Sequence, residues 1–303
     1  MYNGSEQRVC LIIHKSIEDE LNRLGLLYRV FSRAKSEESI NFKIMRNQKE
    51  SFEDDSITQY SKDGKKIQDL FGVRVALYFP DDLAIAQKAI KTLYDFDSKN
   101  VDGAETDLFA ATKCNFVFKL TEELTQDSSV LRNNKLVDNT FEVQFRTILS
   151  EGWHEVEHDL RYKCKDDWSD HKDLSRALNG IYASLETSDW GMMKLFEDLA
   201  YRHYKSSEWA PMLRSKFRLR SGNSLDQSII DAINTDEVGK KIFRVDRNKV
   251  LNLILKLKID FPLNLSNIVY FCNHFFIHSD EITKITPVLL LNRFIEHKEK
   301  YLK

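Results

Sequence analysis

The sequence predicts an α+β protein, in which helices and strands mix over the first two thirds and helices continue to residue 303. Three observations support this fold class. Residues 73–79 are apolar or aromatic except for Arg74 and end at a Pro-Asp pair, which is typical of a buried strand. Residues 139–147 alternate apolar and polar side chains, the pattern of a strand with one polar face. From Leu225 onward the apolar residues keep helical spacing.

The elements that precede the buried strand are predicted from spacing and capping. Residues 8–30 carry apolar residues at helical spacing, with charged residues between them. Ser36 is predicted to cap a second helix, on which Ser39 and Lys43 share one face because they are four residues apart. Residues 47–64 are polar, offer few side chains for a core, and predict a loop.

The elements that follow the buried strand are a helix, two strands and a longer helical segment. Residues 81–96 begin with acidic side chains, as helices favour. Residues 114–120 predict one strand, and the alternation in 139–147 places Glu142, Gln144 and Arg146 on one face of the other. The next helix is predicted from an apolar stripe formed by Leu149, Trp153, Val156 and Leu160.

A domain junction is predicted near residue 205, which divides the chain into residues 1–204 and a mainly helical domain of residues 205–303. The junction contains LRSKFRLR, with basic residues at positions 214, 216, 218 and 220. As a strand, this stretch would form a cationic ridge that faces a phosphate backbone. As an exposed linker, it would have no such role.

Composition describes a globular chain, with 42% hydrophobic and 30% charged residues. We expect a cytoplasmic protein without a membrane segment, because the start lacks a signal-peptide pattern and no apolar run approaches ~18 residues. The four cysteines are scattered, which favours reduced thiols. Net charge is −2, but residues 205–303 contain 17 Lys/Arg against 11 Asp/Glu, so the last third is basic and a contact with nucleic acid is one interpretation of it.

The first two thirds offer polar groups suited to a nucleotide. Arg33, Lys35 and Lys43 are cations on a loop-helix segment, where they can grip phosphate oxygens. Asp69 precedes the strand that carries Arg74, and Glu142 lies on the polar strand face described above. Two carboxylates that hold Mg²⁺, together with cations on phosphate, are what phosphoryl-group transfer requires. Taken singly, each of these residues is also compatible with an ordinary solvated surface.

Three stretches stand in order along the chain: SRAKSEESINFKIMR, IQDLFGVRVAL and FEVQFRTILSEGWHEVEHDLRYK. The first resembles the ATP-binding R-x-K-x-x-x-S-x-x-x-K segment of the RelA/SpoT family of alarmone synthetases. The second is similar to that family's I-x-D-L-x-G-[VI]-R-[VI] strand. The third is similar to its E-[VL]-Q-[IF]-R-T strand, followed by W-x-x-[VL]-E-H-x-L-x-Y-K on a helix. The resemblance covers about residues 8–204.

The resemblance implies a nucleotidyltransferase-like mixed β-sheet flanked by helices. It also implies a Mg²⁺-dependent pyrophosphotransferase, which moves the β,γ-pyrophosphate of ATP to a 3′-hydroxyl in (p)ppGpp-type stringent-response or toxin-type growth control. The residues carried over as catalytic and as magnesium ligands are Asp69 and Glu142. Those carried over as ATP-binding are Arg33, Lys35, Lys43 and Arg74. Those carried over as supporting the pocket are Gln144, Arg146 and His158.

The acceptor motif departs from the family pattern. The family has about G-Y-x-S-x-H before a strand, and its tyrosine stacks on guanine. This chain has AATKCN at residues 110–115, with Phe109 as the aromatic residue nearest to the tyrosine position. The acceptors left open are a guanine nucleotide, an adenine nucleotide and the 3′ end of tRNA. A toxin of this type would also have an antitoxin or a regulatory protein as partner.

Two other classes of protein are weighed against the transferase. HEVEH at residues 154–158 fits the zinc-protease pattern H-E-x-x-H, and a zinc hydrolase would need a third ligand, for which Glu186 is the candidate. The metzincin extension is missing, because Arg161 and Cys164 stand at its glycine and final histidine positions. A catalytically silent nucleotide-sensing module is the other alternative, although such a module has no need for both Asp69 and Glu142.

Overall fold

The computed structural model describes residues 4–54, 56–101, 114–222, 224–235 and 237–301. The chain divides into two compact units. The first unit takes its described residues from 1–19, 28–78 and 90–186. The second takes its described residues from 20–27, 79–89 and 187–303. These units do not test where a domain ends, so the boundary at 204/205 stays a prediction.

The first unit contains a five-stranded mixed sheet with the order β1-β2-β5-β4-β3. Its strands are β1 Tyr28–Ala34, β2 Phe71–Leu77, β3 Phe96–Val101, β4 Cys114–Lys119 and β5 Thr140–Thr147. The central pair β2 and β5 is parallel, and the other neighbouring pairs are antiparallel. The mixed sheet flanked by helices, with a helical region after it, confirms the predicted fold class.

One face of this sheet is apolar because alternate residues of its central strands carry large hydrophobic side chains. Val73 and Val75 on β2 and Phe141 on β5 are almost fully buried. The rings of Phe118 and Phe141 stack with centroids 5.6 Å apart. Burial of such side chains stabilises a fold by roughly 1.5–3 kcal/mol each. The core therefore lies on this face, and the opposite face is left for polar side chains.

The helices that begin in or belong to the first unit vary widely in length. They are α1 Gly4–Arg23, α2 Glu37–Glu53, α4 Glu122–Asp127, α5 Ser129–Asn133, α6 Ile148–Glu157, α7 Lys165–Trp168 and α8 Lys172–Lys205, with a π-helical turn at His158–Tyr162. Ser36 caps α2 as predicted, because its hydroxyl accepts a hydrogen bond from the amide of Ser39.

The second unit is helical in the residues that the structure describes. A short 3₁₀ turn at Pro80–Asp82 leads into α3 Leu83–Leu93, and the later helices are α9 Trp209–Phe217, α10 Gln227–Ile233, α11 Val238–Arg244, α12 Arg247–Leu257, α13 Leu265–Cys272, α14 Asp280–Ile285 and α15 Val288–Tyr301, with a π-helical turn at Asn273–Ile277. Its core includes Phe217, Phe271 and Phe294, all at most 1% exposed.

The basic stretch LRSKFRLR is neither a cationic ridge nor an exposed linker, so both readings of it were wrong. It forms the end of α9, and Arg218 follows in a left-handed conformation. Arg218 is buried and donates from Nη2 to Asp81 Oδ2 at 2.5 Å. Because its charge is paired inside the second unit, Arg218 is not available to a phosphate backbone.

Two further predictions were wrong in part. The predicted helix over residues 8–30 ends at Arg23, and β1 begins at Tyr28. The predicted loop over 47–64 is partly helical, because α2 continues to Glu53. Asn47 is buried there and ties the following segment to the helix, since its side chain accepts from the amide of Tyr60 at 2.8 Å.

Over the part of the chain that the structure describes, no helix combines the length and apolar character needed to cross a bilayer.

Candidate active site

The register of three neighbouring strands brings the polar residues together on the sheet face opposite the core. In one row across the sheet, Arg33 on β1 pairs with Gly72 on β2, which pairs with Glu142 on β5. In the next row, Arg74 on β2 pairs with Gln144 on β5. Because side chains alternate between faces, residues two apart on a strand share this polar face.

A cavity of about 260 Å³ opens on this face. Six of the residues that the sequence indicated line it: Arg33, Lys35, Asp69, Arg74, Glu142 and Gln144. Five lining residues were missed, namely Phe31, Ser32, Gly72, Val73 and Glu155. Gly72 leaves the floor open, because a Cβ added there would meet no atom within 4 Å.

Asp69 stands just before β2 and is held by two ammonium groups. Lys35 Nζ lies 2.5 Å from Asp69 Oδ2, and Lys43 Nζ lies 2.8 Å from Oδ1. Lys35 follows β1 directly and Lys43 lies on α2, so the cap at Ser36 fixes how the two lysines approach. Burial raises the pKa of Asp69, but the charges of Lys35 and Lys43 outweigh it and the net pKa lies below its usual value. The carboxylate is therefore ionised at neutral pH.

Arg74 extends from β2 to two carboxylates of α6. Its Nη1 donates to Glu151 Oε1 at 2.8 Å and also contacts Glu155. The second oxygen of Glu151 accepts from Arg146 Nη1 at 2.9 Å. The side chain of Glu151 is only 11% exposed, whereas that of Glu155 is 50% exposed. The buried carboxylate of Glu151 thus bridges Arg74 and Arg146. The more exposed Glu155 also contacts Arg74.

Glu142 is oriented by two amides. Gln144 Nε2 donates to Glu142 Oε1 at 2.6 Å, and Asn115 Nδ2 makes a longer contact of 3.4 Å to the same oxygen. The other oxygen, Oε2, is used by neither amide. Gln144 in turn accepts from Arg146 Nη2 at 3.0 Å, which fixes the amide with its nitrogen toward Glu142.

Three predicted site residues stand outside the lining set. Lys43 reaches the cavity through Asp69, and Arg146 reaches it through Glu151 and Gln144. His158 is not brought to the cavity. It lies in the π-helical turn that follows α6, where its Nδ1 is 2.9 Å from Asp159 Oδ1 and its ring stacks on that of Tyr162.

Asp69 and Glu142 are the residues of this cavity that could hold a magnesium ion. Both line the same cavity, and their oxygens are the hard ligands that Mg²⁺ prefers. Magnesium in nucleotide sites is usually held by one or two carboxylates together with substrate phosphates, so two protein ligands suffice. These two residues could therefore hold the metal once a nucleotide supplies phosphate oxygens.

HEVEH does not form a zinc site with the residues that the structure describes. His154 is 3% exposed and lies against the rings of Trp153 and Tyr182. Within the described ranges no three His, Cys, Asp or Glu side chains are grouped so that they could hold a metal ion. The zinc-hydrolase alternative thus lacks a third ligand there, and Glu186 does not supply one.

The segment that departs from the family's acceptor motif, residues 110–115 with Phe109, lies largely outside the described residues. Phe109 and residues 110–113 are among those that the structure does not describe. Asn115 is described, and its contact with Glu142 places the start of β4 beside the carboxylate.

Comparison with known proteins finds one family match and several similar solved structures. Residues 32–167 match the family model for the region found in RelA/SpoT proteins. The small alarmone synthetase 1 from Bacillus subtilis is 18% identical, over 63% of this chain and 92% of that chain, with a TM-score of 0.44. The same synthetase bound to its product pppGpp is 16% identical over 63% and 92%, with a TM-score of 0.46. A GTP pyrophosphokinase family protein from Streptococcus pneumoniae is 18% identical over 64% and 89%, with a TM-score of 0.44.

No protein with a curated description matches the sequence. The family match nevertheless spans all three resembling stretches, from Ser32 to Lys163, and therefore every residue that lines the cavity except Phe31. Residues 32–167 therefore contain the region that is found in RelA/SpoT proteins.

Proposed function

We propose that this domain transfers the β,γ-pyrophosphate of ATP to the 3′-hydroxyl of a nucleotide acceptor, with Mg²⁺ as cofactor. The observation that carries the proposal is the gathering of Asp69 and Glu142 with three cations, Arg33, Lys35 and Arg74, in one cavity. Related structures support the same chemistry, since the Bacillus subtilis small alarmone synthetase 1 is described with its product pppGpp and with AMPCPP.

The cations are proposed to bind ATP. Lys35 and Lys43 neutralise Asp69 in the structure, and incoming phosphate oxygens would offer them a second set of anionic partners. Arg33 and Arg74 present guanidinium groups on the same sheet face, where they can pair with phosphate or stack on adenine. ATP binding then replaces ion pairs within the protein by ion pairs with the nucleotide.

The transfer step needs an aligned hydroxyl and a group that takes its proton. The acceptor 3′-oxygen attacks the β-phosphorus of ATP, the bond between the α,β-bridging oxygen and the β-phosphorus breaks, and AMP leaves. Glu142 accepts the hydroxyl proton, because its Oε1 is fixed by Gln144 while Oε2 is used by neither neighbouring amide. Mg²⁺ held by Asp69 and Glu142 would neutralise phosphate charge during this transfer.

Gln144 and Arg146 are proposed to support the pocket through the hydrogen bonds that fix Glu142 and Glu151. His158 has no equivalent contact with the lining residues. Its proposed supporting role is confined to the π-helical turn, where it orders the end of α6 with Tyr162.

The proposed acceptors are a guanine nucleotide, an adenine nucleotide or the 3′ end of tRNA. The excess of basic residues in 205–303 motivates the tRNA option and a toxin with an antitoxin or regulatory partner in the cytoplasm. Two of those cations, Arg218 and Arg247, are buried and paired with Asp81 and Asp82. The basic surface of the second unit is thus smaller than the count of charges indicates.

The test is a transfer assay with the purified chain, Mg²⁺ and ATP labelled on the β-phosphate. GDP, GTP, ADP, ATP and bulk tRNA are offered in turn, and AMP release is measured in parallel. We expect label on at least one acceptor with an equal amount of AMP. The matched variant Glu142→Gln keeps the shape of the side chain but cannot take the proton, and we expect it to lose transfer by roughly 10²–10⁴-fold.

Three outcomes separate the proposals. Label on tRNA but on no free nucleotide would favour the toxin-type reaction, and label on GDP or GTP would favour alarmone synthesis. ATP binding without AMP release, unchanged by Glu142→Gln, would overturn the transferase and favour a silent nucleotide-sensing module.

A further inference from the structure

Phe31 is an exposed aromatic residue on the polar face of the sheet. It lies on the edge strand β1, 51% of its surface is accessible, and it lines the cavity. The two ends of the same strand, Tyr28 and Ala34, are buried. β1 therefore packs against the core in the ordinary way, and Phe31 is turned to the cavity by the alternation of the strand.

Basic residues neighbour Phe31 on the same face of the sheet. Arg29 and Arg33 stand two residues before and after Phe31, so all three share one face of β1. Across the strand pair, the register partner of Phe31 is Arg74. Among the described residues, no aromatic ring pairs with that of Phe31, although many other rings of the sheet are paired.

A flat apolar ring flanked by guanidinium groups suits a ligand with a planar base and attached phosphates. Base stacking on an aromatic side chain accepts every base, since each has a π-face. The arginines beside it would hold the phosphates or add cation–π contacts. An aliphatic or purely anionic ligand would leave the ring without a partner.

We propose that Phe31 stacks on the purine base of a nucleotide bound in the cavity. This inference rests on the proposed function only in assuming that the cavity takes nucleotides. The purine belongs either to the donor ATP or to the acceptor, and both have the same stacking chemistry. Phe31 lies one residue before the span of the family match.

The test compares ATP with inorganic tripolyphosphate, which has the phosphates without the base. Binding of each is measured by calorimetry for the full chain, for Phe31→Ala and for Phe31→Trp. If the base of ATP stacks on Phe31, we expect Phe31→Ala to weaken ATP binding by roughly 5- to 100-fold and Phe31→Trp to retain it. Tripolyphosphate binding should be unchanged in both variants. Phe52→Ala is the matched control, because Phe52 is 91% exposed on α2 and does not line the cavity.

Steady-state kinetics then show whether the stacked base belongs to the donor ATP or to the acceptor. If Phe31 stacks on the donor, Phe31→Ala raises KM for ATP; if it stacks on the acceptor, KM for the acceptor rises and ATP binding by calorimetry is unchanged. Equal loss of ATP and tripolyphosphate, or no change in either binding or both KM values, would overturn the inference and leave the transfer reaction standing. Phe31-dependent ATP binding without any transfer would keep the inference and overturn the proposed function.

Discussion

Arg74 on β2 donates to Glu151 Oε1 at 2.8 Å and also contacts Glu155, one turn further along α6. The two carboxylates differ in surroundings. Glu151 is buried and also accepts from Arg146 at 2.9 Å, whereas Glu155 is half exposed and lines the cavity. Glu151 thus positions Arg74 and Arg146. Glu155 pairs with the guanidinium of Arg74, which would otherwise be available to an anionic nucleotide.

Replacement of Glu155 by glutamine is expected to tighten ATP binding. The change removes a negative charge from the cavity and frees Arg74 for phosphate, with a gain of about two- to fivefold, as is typical of a half-exposed ion pair. The measurement is the Kd for ATP at low and high salt. The gain should shrink at high salt, because exposed charges are screened there.

Glu151→Gln is the matched comparison on the same helix, and it should act in the opposite direction. Without the charge of Glu151, Arg74 and Arg146 would lose the carboxylate that holds both of them, so ATP binding should weaken. If both variants changed ATP affinity in the same direction, the assignment of distinct roles to Glu151 and Glu155 would be contradicted.

The sequence predicted the central sheet better than its edges. β2 and β5 were predicted because Val73, Val75 and alternating phenylalanines give clear burial patterns. β1 was missed because its exposed residues, Arg29, Phe31 and Arg33, mix charged and apolar side chains on one face. An edge strand of this kind shows no regular alternation of apolar and polar residues. Its formation depends on pairing with a neighbouring strand that is distant in sequence.

The motif residues of the candidate site were predicted from the sequence, but the side chains that hold them in place were not. Glu151 and Glu155 lie 77 and 81 residues after Arg74, and no local pattern connects them. Glu155 lies within HEVEH, whose pattern points to zinc and not to Arg74. The one available signal for Phe31 was an aromatic residue two positions before Arg33, which becomes meaningful once both are placed on a strand.

Gly72→Val tests whether the open floor of the cavity is required. A Cβ at this position meets no atom within 4 Å, and valine favours strands, so the fold should keep or gain stability. The new side chain stands between Arg33 and Glu142 in the sheet register and fills space that the nucleotide needs. We expect ATP binding to fall by at least about tenfold, measured by calorimetry beside the thermal midpoint.

The control for glycine removal itself is Gly180→Ala on α8, where a Cβ also meets nothing. It should stabilise the helix and leave ATP binding unchanged. Unchanged ATP binding in Gly72→Val would show that the nucleotide does not occupy the cavity floor.

Asp69→Asn is expected to change how stability depends on pH. The folded-state pKa of Asp69 is lowered: burial raises it, but Lys35 and Lys43 outweigh that effect. Its stabilising contribution is therefore fully present above the unfolded value of about 3.9 and is lost as pH falls through the lower folded value. Urea unfolding of wild type and variant should differ most near pH 7 and converge in strong acid.

Asp198→Asn provides the surface control, because that carboxylate is exposed and 4.0 Å from Lys194. It should shift stability little at any pH. A stability difference between wild type and Asp69→Asn that stays constant down to strong acid would contradict the role of the two lysines.

A buried ion pair joins α12 to the start of α3 within the second unit. Arg247 Nη1 donates to Asp82 Oδ1 at 2.6 Å, and its Nε donates to the carbonyl oxygen of Phe217 at 2.5 Å. Asp82 is fully buried, and burial, the larger effect, raises its pKa although the charge of Arg247 opposes it. Each member therefore depends on the other to avoid an isolated buried charge.

Arg247→Met should lower the free energy of unfolding by about 3–5 kcal/mol, because it leaves the carboxylate of Asp82 buried without a cation. The double variant Arg247→Met/Asp82→Leu should recover most of that loss, since it removes both charges. Urea unfolding followed by circular dichroism measures both, with Lys240→Ala, which breaks an exposed pair with Glu237, as the near-neutral control. A double variant as unstable as the single one would mean that Arg247 acts through Phe217 and not through Asp82.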